Sequence, residues 1–133
     1  MSNLDLLKKL RDITGAGMMD CKKYLEKSNN DVDAAVKLMR KEGGIKADKK
    51  SSRIAADGLV SYFSNGQKAL LIEVNSETDF VARSDDFKTY VENVSQIILE
   101  TDYKNLPELE KDNNIISKLE DIRNTIITKL GEN

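Results

Sequence analysis

The pair Asn65-Gly66 lies between two apolar runs of period two, Leu59 to Phe63 and Lys68 to Val74. Asn-Gly in this setting is the strongest short-range sign of a β-hairpin, because a tight turn needs positive φ and these residues adopt it at least cost. The rest of the sequence carries helical periodicity, so the hairpin stands alone. A lone hairpin is marginal in water, and both of its outer edges are unpaired. Helices must therefore cover one face. The sheet is expected to be completed by a second copy of the chain or another partner, unless the sequence is a piece of a longer protein.

Three helical runs precede the hairpin. Residues 4–13 space Leu4, Leu6, Leu7, Leu10 and Ile13 along one side, and Thr14-Gly15-Ala16-Gly17 stops the pattern. Met18, Cys21 and Leu25 mark a second run that closes at Ser28-Asn29-Asn30, where Asn tolerates the left-handed conformation of a helix end. Asp31 is the expected N-cap of a third, with Val32, Ala35, Val36 and Met39 in register until Gly43-Gly44. Residues 1–44 thus read as a small three-helix domain. Met18 and Met19 are neighbours and cannot share a helix face, so one is expected at the surface. Residues 45–57 read as a basic tether carrying Lys46, Lys49, Lys50 and Arg53. A phosphate-binding patch is the alternative there, with no interleaved aromatic to support it.

After the hairpin, Leu70 to Val74 gives way to the polar Asn75, Ser76 and Glu77, and then to Asp79 and Phe80 ahead of a helix start at Ser84, Asp85 and Asp86. A large ring beside a carboxylate at the end of a strand is an anchor offered to a partner; the alternative folds Phe80 back as core. A helix from Asp85 to Glu100 aligns Phe87, Tyr90, Val91, Val94 and Ile98. A break over 101–112 contains Pro107, and a last helix aligns Ile115, Leu119, Ile122, Ile126 and Leu130 before Gly131. Residues 58–133 form a partial subdomain. The expected class is α+β, a three-helix bundle followed by a hairpin covered by two helices, with the sheet incomplete.

The composition excludes much. The net charge is −2 and aromatics are 5%, a balance from which no direct nucleic-acid affinity follows. Cations predominate in residues 1–53 and carboxylates in 84–133, a polarity suited to orienting a charged encounter. There is no histidine and one cysteine, Cys21, which removes disulfide frameworks, Cys/His metal sites and His-based catalysis. An enzyme would have to rest on Cys21, which falls on the apolar side of its helix. No cofactor or metal is expected. The amino terminus resembles neither a signal peptide nor a membrane span, so a reducing, cytoplasmic setting without membrane contact is expected.

Two stretches, TGAGMMDCKK at Thr14 to Lys23 and ETDFVAR at Glu77 to Arg83, are joined by the basic tether and IAADG at Ile54 to Gly58. In this order and spacing they resemble translation elongation factor Ts, the nucleotide-exchange factor for elongation factor Tu, over essentially the whole chain. The resemblance implies a ubiquitin-associated-type fold for the first three helices and a non-enzymatic role in guanine nucleotide exchange. It implies that Asp79 and Phe80, within a motif that includes Thr78 and Val81, enter the GTPase domain of Tu beside its magnesium site. It also implies that Leu10, Arg11, Met18 and Met19 grip a helix of that domain. The family's pattern continues beyond KLGEN with a strand that completes the sheet, and the sequence is expected to be an amino-terminal piece or a truncated product. The competing reading is a binding module without exchange activity, whose three-helix domain recognises a ubiquitin-like fold or a nascent peptide and leaves TDFVAR idle.

Overall fold

Ser2 opens the chain's first helix through a reciprocal capping box: its side chain accepts from the Asp5 amide, and the Asp5 carboxylate accepts from the Ser2 amide. The computed structural model describes residues 2–133. Its first helix, α1 (Asn3–Thr14), ends at Gly15, whose left-handed φ of 65° lets its amide reach Arg11 O at 2.7 Å. The second, α2 (Met18–Lys27), is capped at Ser28 and followed by Asn29 and Asn30, both with positive φ. The third, α3 (Val32–Lys50), starts on Asp31, which accepts from the Ala34 amide. Leu10, Cys21, Tyr24, Leu25, Ala35 and Met39 form the core between them.

The expected stop at Gly43-Gly44 does not occur, and α3 runs on to Lys50. Residues 45–50 of the expected tether are therefore helix. The reason is tertiary. Gly43 is buried where α3 crosses a later helix, and a methyl there would lie 2.5 Å from Thr128 Oγ1 and 3.5 Å from Asn124 O. Each glycine costs a helix about 1 kcal/mol relative to alanine, and the packing of two helices at close range offsets it.

The hairpin pairs β1 (Asp57–Ser64) with β2 (Ala69–Ser76) in antiparallel register, with Leu59 opposite Val74, Ser61 opposite Ile72 and Phe63 opposite Leu70 on the inner face. The outer face carries Val60 opposite Glu73 and Tyr62 opposite Leu71, and these three apolar side chains are 64–73% exposed. The turn departs from expectation. Only Gly66 takes positive φ, while Asn65 stays outside the left-handed region and its Oδ1 accepts from the Gln67 and Lys68 amides at 3.0 and 2.8 Å. Asn65 flanks the turn and braces it.

Beyond β2 come α4 (Asp79–Arg83), α5 (Asp85–Leu99), α6 (Leu106–Leu109) and α7 (Asn113–Leu130). Helix α5 starts where expected, with the Ser84 hydroxyl accepting from the Phe87 amide, and buries Phe87, Val91 and Val94. Short α6 falls within the expected break; Asn105 caps it, Pro107 sits in its first turn and Leu109 is buried. Helix α7 packs against both α5 and α3. The architecture is α+β, and the sheet has only two strands among the described residues. Along β2, a groove of about 660 Å³ lies over Val94 and Ile98 of α5 and Ile116 and Leu119 of α7. The incomplete sheet thus faces an apolar floor.

Candidate functional site

The ETDFVAR stretch is a tight corner between strand and helix, and its polar groups hold it rigid. Thr78 is the N-cap of α4, with Oγ1 accepting from the Val81 amide at 3.3 Å. The same hydroxyl donates to Glu132 Oε1 at 2.6 Å, and the Thr78 amide donates to Glu132 Oε2 at 3.0 Å. Glu77 Oε1 accepts from the Asn133 amide at 2.7 Å and pairs with Arg53 Nη1 at 3.5 Å. Ser84 closes the short helix by donating to Val81 O at 2.7 Å.

This frame separates the motif into inward and outward residues. Ala82 is buried, and Val81 is half-buried against a cavity of about 240 Å³ between β2, α5 and α7. Thr78 is occupied by its cap and by Glu132. Asp79 and Phe80 point outward, and Phe80 is 83% exposed. The alternative of Phe80 as core does not hold. Asp79 Oδ2 lies 3.4 Å from Arg83 Nη2, one helical turn on, an exposed pair that orients the carboxylate more than it stabilises the fold.

The second group of candidate residues surrounds the α1–α2 turn. Met19 is 79% exposed, Met18 is 40% exposed and Arg11 lies on the surface. Leu10, grouped with them by the resemblance, has no exposed surface at all. It belongs to the core because helical spacing puts it on the same side as Leu6 and Leu7, about 100° round from Arg11, where α2 and α3 pack. Leu10 supports the turn from beneath and offers a partner nothing to touch. Cys21 is also fully buried, its Sγ donating to Ala16 O at 3.7 Å, and burial pushes its thiol up. A group so placed is no nucleophile at neutral pH.

The two exposed groups are linked through the last turn of α7. Lys129 Nζ donates to Asp86 Oδ1 at 2.9 Å, in the first turn of α5, and its side chain lies over Gly15, where a methyl would be 3.3 Å from Nζ. Gly15 begins the turn that presents Met18 and Met19, and Asp86 follows closely after Phe80.

Comparison with known proteins decides the family. A family model described as Elongation factor TS matches residues 77–133, from the ETDFVAR stretch onward. Elongation factor Ts of Brucella anthropi is 56% identical over 97 residues, covering 73% of this chain and 32% of the relative. That of Alkalilimnicola ehrlichii is 45% identical over 130 residues, covering 96% of this chain and 44% of the relative. That of Thioalkalivibrio sulfidiphilus is 42% identical over 130 residues, with the same coverage. The chain belongs to the elongation factor Ts family.

The chain spans less than half the length of the curated elongation factor Ts relatives it matches. Within this chain, Lys129, Glu132 and Asn133 brace the corners that present the exposed residues, and sequence reasoning missed all three. Glu132 lies 54 positions from Thr78 and Asn133 lies 56 from Glu77, so no local pattern could have paired them.

Proposed function

We propose that the chain acts in translation elongation as a guanine nucleotide exchange factor, promoting GDP release from elongation factor Tu. The observation that supports this reading is the presentation of Phe80: a large ring exposed at 83% on a corner whose backbone and neighbouring side chains are tied in place. An aromatic carried on backbone held this way has less freedom left to lose on binding, which is the economy of an anchor residue.

A P-loop GTPase holds its diphosphate through backbone amides and a Mg²⁺ ion bridging protein and nucleotide oxygens. Phe80 would enter as a wedge between the elements that orient the magnesium ligands, with the Asp79 carboxylate beside it, and the contacts that hold the ion and then the diphosphate would weaken. Linkage makes the effect reciprocal: the factor by which the chain weakens GDP is the factor by which GDP weakens the chain. Arg11, Met18 and Met19 supply the second hold, on a helix of the same GTPase domain. No bond is made or broken, and the chain acts in the cytoplasm without a cofactor.

The test is release of a fluorescent GDP analogue from elongation factor Tu, chased with excess unlabelled nucleotide. Acceleration by the chain that is lost in Phe80→Ala supports the exchange reading. Binding that is unchanged in Phe80→Ala, with no acceleration by the parent, supports instead a binding module that acts through the exposed Met19 of the bundle. We further propose that the open edges of the hairpin let two copies of the chain associate; a clean monomer in sedimentation at high concentration overturns that.

A further inference from the structure

Helix α3 belongs to two packed units. Its first half gives Val32, Ala35 and Met39 to the bundle. Its second half lies along α7: Gly43 and Ala47 are buried there, and Lys50 Nζ donates to Gly131 O at 2.9 Å, covering a carbonyl at the end of α7. Contact therefore runs for two turns. The approach is closest at Gly43, where a methyl would fall 2.5 Å from Thr128 Oγ1. That oxygen is itself anchored, since Thr128 donates to Asn124 O at 2.8 Å and cannot swing aside without giving up the bond. The separation of these helices is available only to a residue with no side chain.

The end of α7 then passes this register to both presenting corners. Lys129 lies between Gly15 and Asp86, and Glu132 holds Thr78 by two hydrogen bonds. A change in the α3–α7 separation moves the turn bearing Met19 relative to the corner bearing Phe80.

We infer that Gly43 is a positioning residue: by setting the distance between α3 and α7 it fixes the offset between Met19 and Phe80, so that both meet the partner as one rigid body. The inference rests on the two-point engagement proposed above. When two contacts share a rigid frame, the first places the second at high effective concentration, and a frame of the wrong offset forfeits that gain.

The experiment compares the parent with Gly43→Ala and with Gly43→Ala/Thr128→Ala, which removes the oxygen that the new methyl meets. Spin labels at Lys22→Cys on α2 and Lys88→Cys on α5, both exposed positions, report the bundle's placement without any partner; Cys21 is buried and stays unlabelled. Gly43→Ala is expected to shift or broaden the interspin distance distribution, and the double variant to restore it. In unlabelled protein, the concentration of chain giving half-maximal GDP release is expected to rise on the order of tenfold in Gly43→Ala. The maximal rate at saturation falls far less, and the double variant recovers both. Should Gly43→Ala fail to fold, Thr128→Leu, which opens the same seam from the α7 side, takes its place in both measurements. A parental distance distribution in the single variant, or a double variant no better than the single, overturns the inference. A parent that gives no acceleration of GDP release overturns the exchange reading instead, and the distance measurement still decides whether Gly43 sets the offset.

Discussion

The Tyr24 hydroxyl donates to Glu42 Oε2 across 2.6 Å, joining α2 to α3 at the rim of the bundle core. Lys27 Nζ donates to the other carboxylate oxygen at 3.1 Å. Those two bonds, the phenol's first, hold the Glu42 carboxyl below its ordinary value. Burial and then Glu42 push the Tyr24 phenol up to about 12.

The pH dependence follows from these directions. A depressed carboxyl contributes stability that is present above its ordinary value of 4.5 and is lost as pH falls through the folded value. A raised phenol contributes stability that is present below its ordinary value of 10.0 and is lost as pH rises toward 12. Thermal unfolding followed across pH is expected to show both losses, and Tyr24→Phe to reduce both. Some acid slope should survive, because Asp5, held by Ser2, Asp102, held by Lys68, and Asp112, held by Tyr103, are also depressed.

Two phenylalanines seven residues apart should behave oppositely. Phe80 is almost wholly exposed, so Phe80→Ala is expected to change stability by less than about 0.5 kcal/mol while abolishing stimulated GDP release. Phe87 is 4% exposed, and Phe87→Ala is expected to cost about 3–5 kcal/mol. Denaturant melts paired with the nucleotide-release assay separate the two. Destabilisation by Phe80→Ala as large as that by Phe87→Ala would count against Phe80 as an exposed anchor.

Glu132 should matter more than its place near the end of the sequence implies. Glu132→Ala removes both bonds to Thr78, each to a charged acceptor, and is expected to cost about 1–3 kcal/mol locally. Amide hydrogen exchange should quicken at Val81 and Ala82, with little change within α1 and α2. Uniform quickening over the whole chain would show that Glu132 supports global stability and not the corner.

Cys21 should ignore thiol reagents until the chain unfolds. It is fully buried and burial raises its thiol, so modification by a disulfide reagent should follow the rate of unfolding. Fast modification of the native protein would place Cys21 at the surface.

What could be read from sequence was what neighbours decide. The ends of α1 and α2, the start of α5 and the end of α7 follow from Gly15, Asn29, Ser84 and Gly131 acting on adjacent backbone, and the observed caps are those residues or their neighbours. Helix geometry put one of Met18 and Met19 at the surface without saying which, and the structure exposes both, Met19 the more. Distant contacts decided the rest. Gly43 looks like a helix stop and is a point of close packing, because Thr128 arrives from 85 positions away. Thr78 belongs to the ETDFVAR motif and Leu10 was grouped with the site by the resemblance, yet they face Glu132 and the core, and sequence likeness does not record which side chains a fold will turn inward.

The hairpin's outer face bears on how the chain behaves in solution. Val60, Tyr62 and Leu71 lie open on a pleated surface, with Glu73 opposite Val60 as the carboxylate that interrupts them. At a net charge of −2, the molecule has little long-range repulsion to keep copies apart. Glu73 is the gatekeeper charge on this face, and high salt, which screens it, brings copies of the chain together first there.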